Sequence, residues 1–429
     1  MDEMKEDLIA ALKDRWEDLL TLVKWAILAV LLGLGVGLVG VGFHLAVDWA
    51  SQTRQAHPWL LFLLPEAGLV IVWLYHRAGI WQDGGTDLVL RAVRGEAPVA
   101  FRTAPLIFAA STLTHLCGGS SGREGAALQL GGSIASSLGR RLGFDQDDRR
   151  MLVVCGMAAA FSALFGTPLA AALFALEVVH VGVMHYAALV PAVLSSLIAT
   201  LLAQRLGLHA TAYAVARFPG LSAQSLAQTV LLGALCALAA ILFYVAMHAA
   251  RHFYQRALKN PYLIIAVGGV LVQLLTVLVG NRDYNGAGGE IIAAAVGGEA
   301  VPYAFVLKIL FTALTLGAGF KGGEIVPTFF TGATFGCAVG PLLGLPASFA
   351  ASVGMVAVFC GVTNCPLTSI LLAYELFGGQ DLGLYAAACA VSYLLSGYGG
   401  LYSAQQIVYS KRIPEEYHGE EKERKEDEA

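Results

Sequence analysis

Two glycine-rich stretches, Gly118-Gly-Ser-Ser-Gly-Arg-Glu-Gly125 and Gly317-Ala-Gly-Phe-Lys-Gly-Gly-Glu324, each carry a glutamate ahead of a small-residue, helix-forming pattern. Read as helix starts, they present backbone N–H groups that no carbonyl of the same helix can satisfy, and the positive end of the helix dipole. Both features suit an anion. A carboxylate at such a place, Glu124 or Glu324, can occupy the anion's own position while ionised and leave it once a proton neutralises it. One side chain then links anion occupancy to proton occupancy, which is the chemistry of coupled exchange. The competing reading makes Glu124 a partner of Arg123 and Glu324 a partner of Lys321, both as interfacial ion pairs. Adjacent residues on a helix do not face each other, which counts against the first pairing unless the backbone there is irregular. The second pairing stays open.

Weaker candidates surround these. Thr86, in Gly84-Gly-Thr-Asp-Leu-Val89, offers a hydroxyl to an anion or a plain helix cap. Tyr402, in Gly399-Gly-Leu-Tyr-Ser403, is a hydroxyl donor or an interfacial aromatic. His180 and His185 read as packing residues, and Glu177 and Glu375 as helix-end features. No serine, metal or paired-carboxylate constellation stands in register with a base, so an intramembrane enzyme is not expected. The seven cysteines sit in apolar or glycine-rich surroundings without a paired pattern, so neither disulfides, a metal nor a cofactor is expected.

The elements that must position these residues are membrane helices. Of 429 residues, 57% are hydrophobic and 14% charged, well below the roughly 25% charged residues of soluble domains. Ala26 to Val47, Tyr186 to Ala203, Thr229 to Val245 and Pro261 to Gly280 each approach the ~20 residues that cross a hydrocarbon core. The runs are continuously apolar and do not alternate, which argues for an all-α polytopic membrane protein and against a barrel. Residues 1–21 are acidic and amphipathic, with Met4, Leu8, Leu12, Trp16 and Leu19 at helical spacing, and predict a separate surface helix on the membrane face. Residues 413–429 carry a mixed charge run that predicts a solvated, disordered tail. Lys5, Lys13, Arg15 and Lys24 precede the first span and Lys411 and Arg412 follow the last, so both termini are expected on the cytoplasmic side.

The chain also repeats itself. Gly156 to Glu177 lies over Gly354 to Glu375 at an offset of 198, sharing Gly-Met, a Phe, a Pro-Leu and the terminal Glu. Upstream, Gly122-Arg-Glu124 lies over Gly322-Gly-Glu324 and Gly132 over Gly332 at an offset of 200. Two membrane repeats, 22–215 and 216–412, follow, and transporters built this way bind their substrate where the halves meet. The sequence does not show whether the repeats are inverted.

On these residues the chain resembles the CLC family of chloride channels and chloride/proton exchangers, over roughly Ala26 to Tyr409. Gly122-Arg-Glu-Gly125 is similar to the motif bearing the family's gating glutamate, and Gly322-Gly-Glu-Ile-Val-Pro327 stands in place of its second helix-start motif. Gly166-Thr-Pro-Leu-Ala170 and Asn364-Cys-Pro-Leu-Thr368 resemble its Pro-Leu turns, and Leu401-Tyr-Ser-Ala404 the segment carrying its anion-binding tyrosine. The resemblance implies inverted repeats with re-entrant, broken helices, in a homodimer with one ion path per subunit. It assigns gating and proton coupling to Glu124 and Glu324, and anion contacts to Thr86, Gly122, Arg123, Gly125, Ile325, Val326 and Tyr402.

The departures from the chloride pattern are specific. Gly85-Thr-Asp-Leu-Val89 replaces Gly-Ser-Gly-Ile-Pro, Val178 stands where many chloride/proton exchangers place an internal relay glutamate, and Glu324 is acidic where chloride members are not. These resemble the fluoride-exporting branch, although Ala126 and Val326 stand where many of its members have threonine. The expectation is a fluoride/proton antiporter of the bacterial inner membrane, with a chloride/proton exchanger or chloride channel of the same family as the alternative. No nucleic-acid partner is expected.

Overall fold

The structure, a computed structural model, describes residues 2–81, 83–413 and 415–417. Its first half runs through α1 (Asp2–Ala56), α2 (Leu64–Arg77), α3 (Thr86–Val93), α4 (Thr103–Leu116), α5 (Glu124–Arg141), α6 (Gln146–Phe165), α7 (Pro168–Glu177) and α8 (Leu189–Arg205). The second half answers with α9 (Ala223–Ala257), α10 (Pro261–Val279), α11 (Gly289–Gly297), α12 (Ala304–Gly317), α13 (Ile325–Val339), α14 (Ala347–Thr363), α15 (Pro366–Phe377) and α16 (Leu382–Leu395). Among the described residues six helices are long and apolar enough to cross a membrane, while α7, α12, α14, α15 and α16 are apolar but shorter. The protein is a multi-pass, helical membrane protein that mixes long helices with shorter apolar ones.

The duplication is inverted, and two pairs of reciprocal contacts make this visible. The Glu177 carboxylate, at the end of α7, accepts from the N–H groups of Leu367 (3.1 Å) and Thr368 (2.8 Å) at the start of α15. Glu375, near the end of α15, accepts from Leu169 and Ala170 at the start of α7, each at 2.9 Å. Each helix therefore caps the other's start, which requires the equivalent helices to run antiparallel. The helix-start proline leaves the following N–H groups without intrahelical partners, and a carboxylate is the acceptor that suits the dipole end. Thr368 adds its hydroxyl to Glu177 at 2.6 Å. Replacing Glu177 with Ala leaves these donors unsatisfied in a buried place and is expected to cost about 2–3 kcal/mol. The thermal unfolding midpoint in detergent reads this, and Glu177→Gln, which keeps one acceptor oxygen, should fall less.

The second reciprocal pair lies at the centre: Gly122 N–H donates to Gly323 O and Gly323 N–H to Gly122 O, both at 2.7 Å, as an antiparallel bridge. Partners related by an inverted repeat are equivalent residues, so the structural offset here is 201 and not 200. The helix crossings agree. A Cβ on Gly131 would run into the Gly156 carbonyl, and one on Gly332 into the Gly354 carbonyl, so Gly131, not Gly132, matches Gly332. Glu324, which precedes α13, is therefore the counterpart of Arg123, which precedes α5, and Glu124 is the counterpart of Ile325. The expected equivalence of the two glutamates is corrected by one residue.

Two terminal expectations also change. Residues 2–56 form one helix, so there is no separate surface helix ending at residue 21. Its first 31 positions contain neither glycine nor proline, and nothing stops the helix between the acidic and apolar parts. Leu12, Trp16 and Leu19 are exposed on it; Met4 and Leu8 lie outside the side chains described. At the other end, Tyr409 pairs with Glu416 and Tyr417 N–H donates to Val408 O at 2.9 Å, so order extends past residue 413. The remainder of the expected tail, from residue 418, lies outside the described residues.

Candidate ion-translocation site

The starts of α3, α5 and α13 meet around Gly125. The point where a Gly125 Cβ would sit is 3.0 Å from Glu324 Oε2, 3.1 Å from Thr86 Oγ1 and 3.1 Å from Gly323 Cα. Only a residue without a side chain lets the three helix starts close to this distance. Gly85 reaches the start of α3 with φ of +60°, a conformation that glycine adopts without steric cost. The Gly122–Gly323 bridge then locks α5 to α13.

Glu124 is sealed, with 1% of its surface exposed. Its carboxylate accepts from the Arg123 N–H at 2.9 Å, and the N–H groups of Glu124 itself and Val326 are directed at it. The carboxylate thus sits in a nest of N–H groups at two helix starts, the place an anion would take. The ion pair of Glu124 with Arg123 is present only as a loose contact, and the arginine's hydrogen bond goes elsewhere. The Arg123 guanidinium bonds to Asp48 at 2.8 Å and stands 3.8 Å from Glu124, too far for a hydrogen bond. Arg123 meets the site through its backbone, so its side chain is not an anion ligand, and the Gly122 N–H is already used by Gly323 and is no ligand either.

Glu324, by contrast, is free of its presumed partner. Lys321 pairs with Asp83 at 2.8 Å and lies over the Tyr75 ring, 4.7 Å from its centre. Glu324 Oε2 is shielded from solvent and has no hydrogen-bond partner among the described residues; the Tyr402 hydroxyl is in the same condition, with Tyr402 6% exposed. Two unsatisfied buried polar atoms beside three helix starts mark a place built for a small polar guest. Ile325 and Val326 form the first turn of α13 beside it, both buried.

A cavity of about 750 Å³ opens onto Thr86, Asp87, Glu324 and Tyr402, with Asp83, Lys321 and Arg251 in its walls. A second, of about 840 Å³, adjoins it along Arg251, Gln255 and Tyr402. Glu124 lines neither, so from this vestibule the order is Tyr402, Thr86 and Glu324 first and Glu124 behind them.

Sequence reasoning missed the acids that hold this arrangement. Asp87 accepts from Ala404 N–H at 3.0 Å and from the Ser403 hydroxyl, fixing the loop that carries Tyr402. Asp83 and Lys321 each lie three residues ahead of Thr86 and Glu324, a matched spacing that could have been noticed, and their bond ties the two approach loops together. Asp48 gave no signal, because its value depends on where α1 crosses α5. Replacing Asp87 with Asn weakens its acceptance from Ser403 and Ala404 and is expected to loosen Tyr402. Anion affinity of the solubilised protein should fall by about tenfold, the equivalent of about 1.4 kcal/mol, in an equilibrium binding titration.

The comparisons with known proteins agree with this architecture. The sequence profile of the family described as "Voltage gated chloride channel" matches residues 67–397. A "Chloride/fluoride channel protein" of Pseudomonas syringae pv. tomato is 37% identical over 405 residues, covering 92% of this chain and 90% of that protein. A "Putative chloride channel protein ClcB-like" of Ralstonia nicotianae is 31% identical over 80% of this chain and 84% of its own length. Among solved structures, a CLC-type fluoride/proton antiporter superposes with a TM-score of 0.87 at 31% identity, covering 90% of this chain and 98% of that one. A slow cyanobacterial Cl⁻/H⁺ antiporter shares the fold, with a TM-score of 0.73 at 21% identity over 87% and 94% of the two chains. From helix order, inverted repeat and these likenesses together, the chain belongs to the CLC family of voltage-gated chloride channels and transporters.

Proposed function

We propose that the protein exports fluoride in exchange for protons. The observation that carries this reading is the Glu324 carboxylate, with an unpartnered, buried Oε2 beside the Thr86 hydroxyl and the starts of α5 and α13. Fluoride is small, tightly hydrated and a strong acceptor, so removing its water demands compact donors, and a protonated carboxyl is one. An ionised carboxylate in the same place repels any anion, so proton binding at Glu324 and fluoride binding support each other. Glu124 does the same one step further in: while ionised it fills the N–H nest, and when protonated it vacates it for the ion. Thr86, Gly125, Ile325, Val326 and Tyr402 complete the lining. The similarity to the chloride/fluoride channel protein of Pseudomonas syringae and to the superposed fluoride/proton antiporter supports the choice of ion.

Val178 is fully buried and apolar, so no acid stands at that position to relay protons. Protons then pass between Glu124 and the vestibule by way of Glu324, which lines it. The remaining reading, a chloride/proton exchanger or chloride channel, has the fold in its favour but not the acid at residue 324. Purified protein in vesicles holding equal fluoride and chloride separates them. Fluoride efflux at least about tenfold faster than chloride, a difference of about 1.4 kcal/mol, is expected; equal rates refute the fluoride assignment.

The functional unit is a homodimer in the inner membrane, with both termini cytoplasmic. The exposed apolar side chains of Leu169 on α7 and of Leu367 and Tyr374 on α15 support a subunit contact at that helix pair.

A further inference from the structure

Three side chains, none of which lines the vestibule, lead away from Glu124. His44 and Asp48 lie one turn apart on α1, with His44 Nε2 3.0 Å from Asp48 Oδ2. Asp48 Oδ1 accepts from Arg123 Nη1 at 2.8 Å, and Arg123 Nε stands 3.8 Å from Glu124 Oε1. Arg123 is thus shared unequally between two carboxylates. The one it bonds, Asp48, has 46% of its side chain exposed; the one it leaves, Glu124, is sealed.

This division has a consequence for a carboxylate that must take up a proton to move. A guanidinium within bonding distance of a buried carboxylate favours its ionised form strongly, and would hold Glu124 in the anion's seat. From the proposed role of Glu124 as the proton-coupled gate, on which this rests, we infer that Asp48 is a positioning residue. It keeps the Arg123 guanidinium beyond hydrogen-bonding reach of Glu124, with His44 steadying its second oxygen, and so eases protonation of the gate. The His44 Nδ1 is buried without a partner among the described residues, so the ring acts on this line through the Nε2 contact.

Other titratable groups face the same line: His115 of α4 towards Arg123, Tyr213 ahead of α9 towards Arg123 and Glu124, and Glu324 of α13 and Tyr402 towards Glu124, while Arg54 of α1 and Lys308 of α12 act on His115. His115 Nδ1 is engaged by Ser111 O and the Lys308 ammonium by the Tyr284 and Gly286 carbonyls. Asp48 is therefore the group whose loss changes what Arg123 binds. The plainer role for the pair, a tie between α1 and α5, predicts lost stability but no change in the protonation of the gate.

The test is fluoride efflux from vesicles as a function of pH, with full-length wild type, Asp48→Asn, Asp48→Glu, His44→Phe and the double variant Asp48→Asn/Arg123→Gln. Asp48→Asn is expected to move the half-maximal pH down by about one to two units, the size of shift an adjacent arginine gives a carboxylate. Asp48→Glu should restore the wild-type midpoint. His44→Phe, which keeps Asp48, should give a smaller shift of the same sign, and the double variant, with no guanidinium to move, should cancel the acid shift. An unshifted midpoint in both Asp48→Asn and His44→Phe, with the rate lowered evenly at every pH, overturns the inference and leaves only the tie. A wild-type flux that ignores pH would instead refute the coupling reading beneath it.

Discussion

In Glu124→Ala, fluoride is expected to cross the membrane without protons, and proton uptake should fall to the leak of protein-free vesicles. The side chain that competes with the ion for the N–H nest is gone, so the path past Gly122 and Val326 stays open at every pH. Its backbone donors remain: the Arg123 and Val326 N–H groups belong to helix starts that the Gly122–Gly323 bridge holds together, and the substitution does not touch that bridge. An anion therefore keeps its seat while the proton loses its carrier. Glu124→Gln should behave alike in being blind to pH, because an amide cannot exchange its charge. Simultaneous fluoride-electrode and pH recordings read both fluxes. Proton uptake that continues in Glu124→Ala would move the coupling elsewhere, with Glu324 the first place to look.

In the proposed mechanism Glu324 separates two functions that Glu124 combines. In Glu324→Ala the donor beside Thr86 disappears, and fluoride preference over chloride is expected to fall roughly 30- to 100-fold, the equivalent of about 2–3 kcal/mol for a lost charge-assisted hydrogen bond. Chloride, more weakly hydrated and less demanding of compact donors, should gain relative to fluoride. Glu324→Gln keeps an N–H donor in the same place but cannot release a proton. Much of the selectivity should survive there while proton coupling is lost. The structure makes this comparison clean, since Lys321 is bound to Asp83 and removing the Glu324 charge leaves no cation stranded. Two variants that both retain selectivity and coupling would remove Glu324 from the mechanism.

What the sequence discloses and what it hides follow from the range of the interactions. Apolar runs and helix starts are local, so the spans from Ala26 to Pro261, the Pro-Leu turns and both glutamate-bearing motifs could be read directly. The absence of a stop signal before Gly33 is also local, yet the change from acidic to apolar composition imitates a boundary that the unbroken helix α1 does not have. The inversion of the repeat was invisible because it resides in contacts about 190 to 206 residues apart, such as Glu177 with Thr368 and Glu375 with Ala170. The same limit explains the one-residue error in aligning Glu124 with Glu324. Matching letters favoured an offset of 200, whereas the bridge between Gly122 and Gly323 and the crossings at Gly131 and Gly332 obey 201. Arg123 and Lys321 were weighed as partners of the nearest glutamates, but each is bound by an aspartate from another element, Asp48 or Asp83. Polar partners in a helical bundle are chosen by crossing geometry, which spacing along one chain does not encode.

The central claim is that proton entry and fluoride exit are one process at Glu124 and Glu324. Vesicles carrying the purified protein, with equal fluoride on both sides and protons more concentrated outside, test it most directly. Fluoride is expected to leave against the gradient it builds while protons enter, until that gradient balances the pH difference, and Glu124→Ala should abolish this uphill movement. Fluoride that stays at equal concentration despite the pH difference, and runs only down its own gradient when one is imposed, would contradict it.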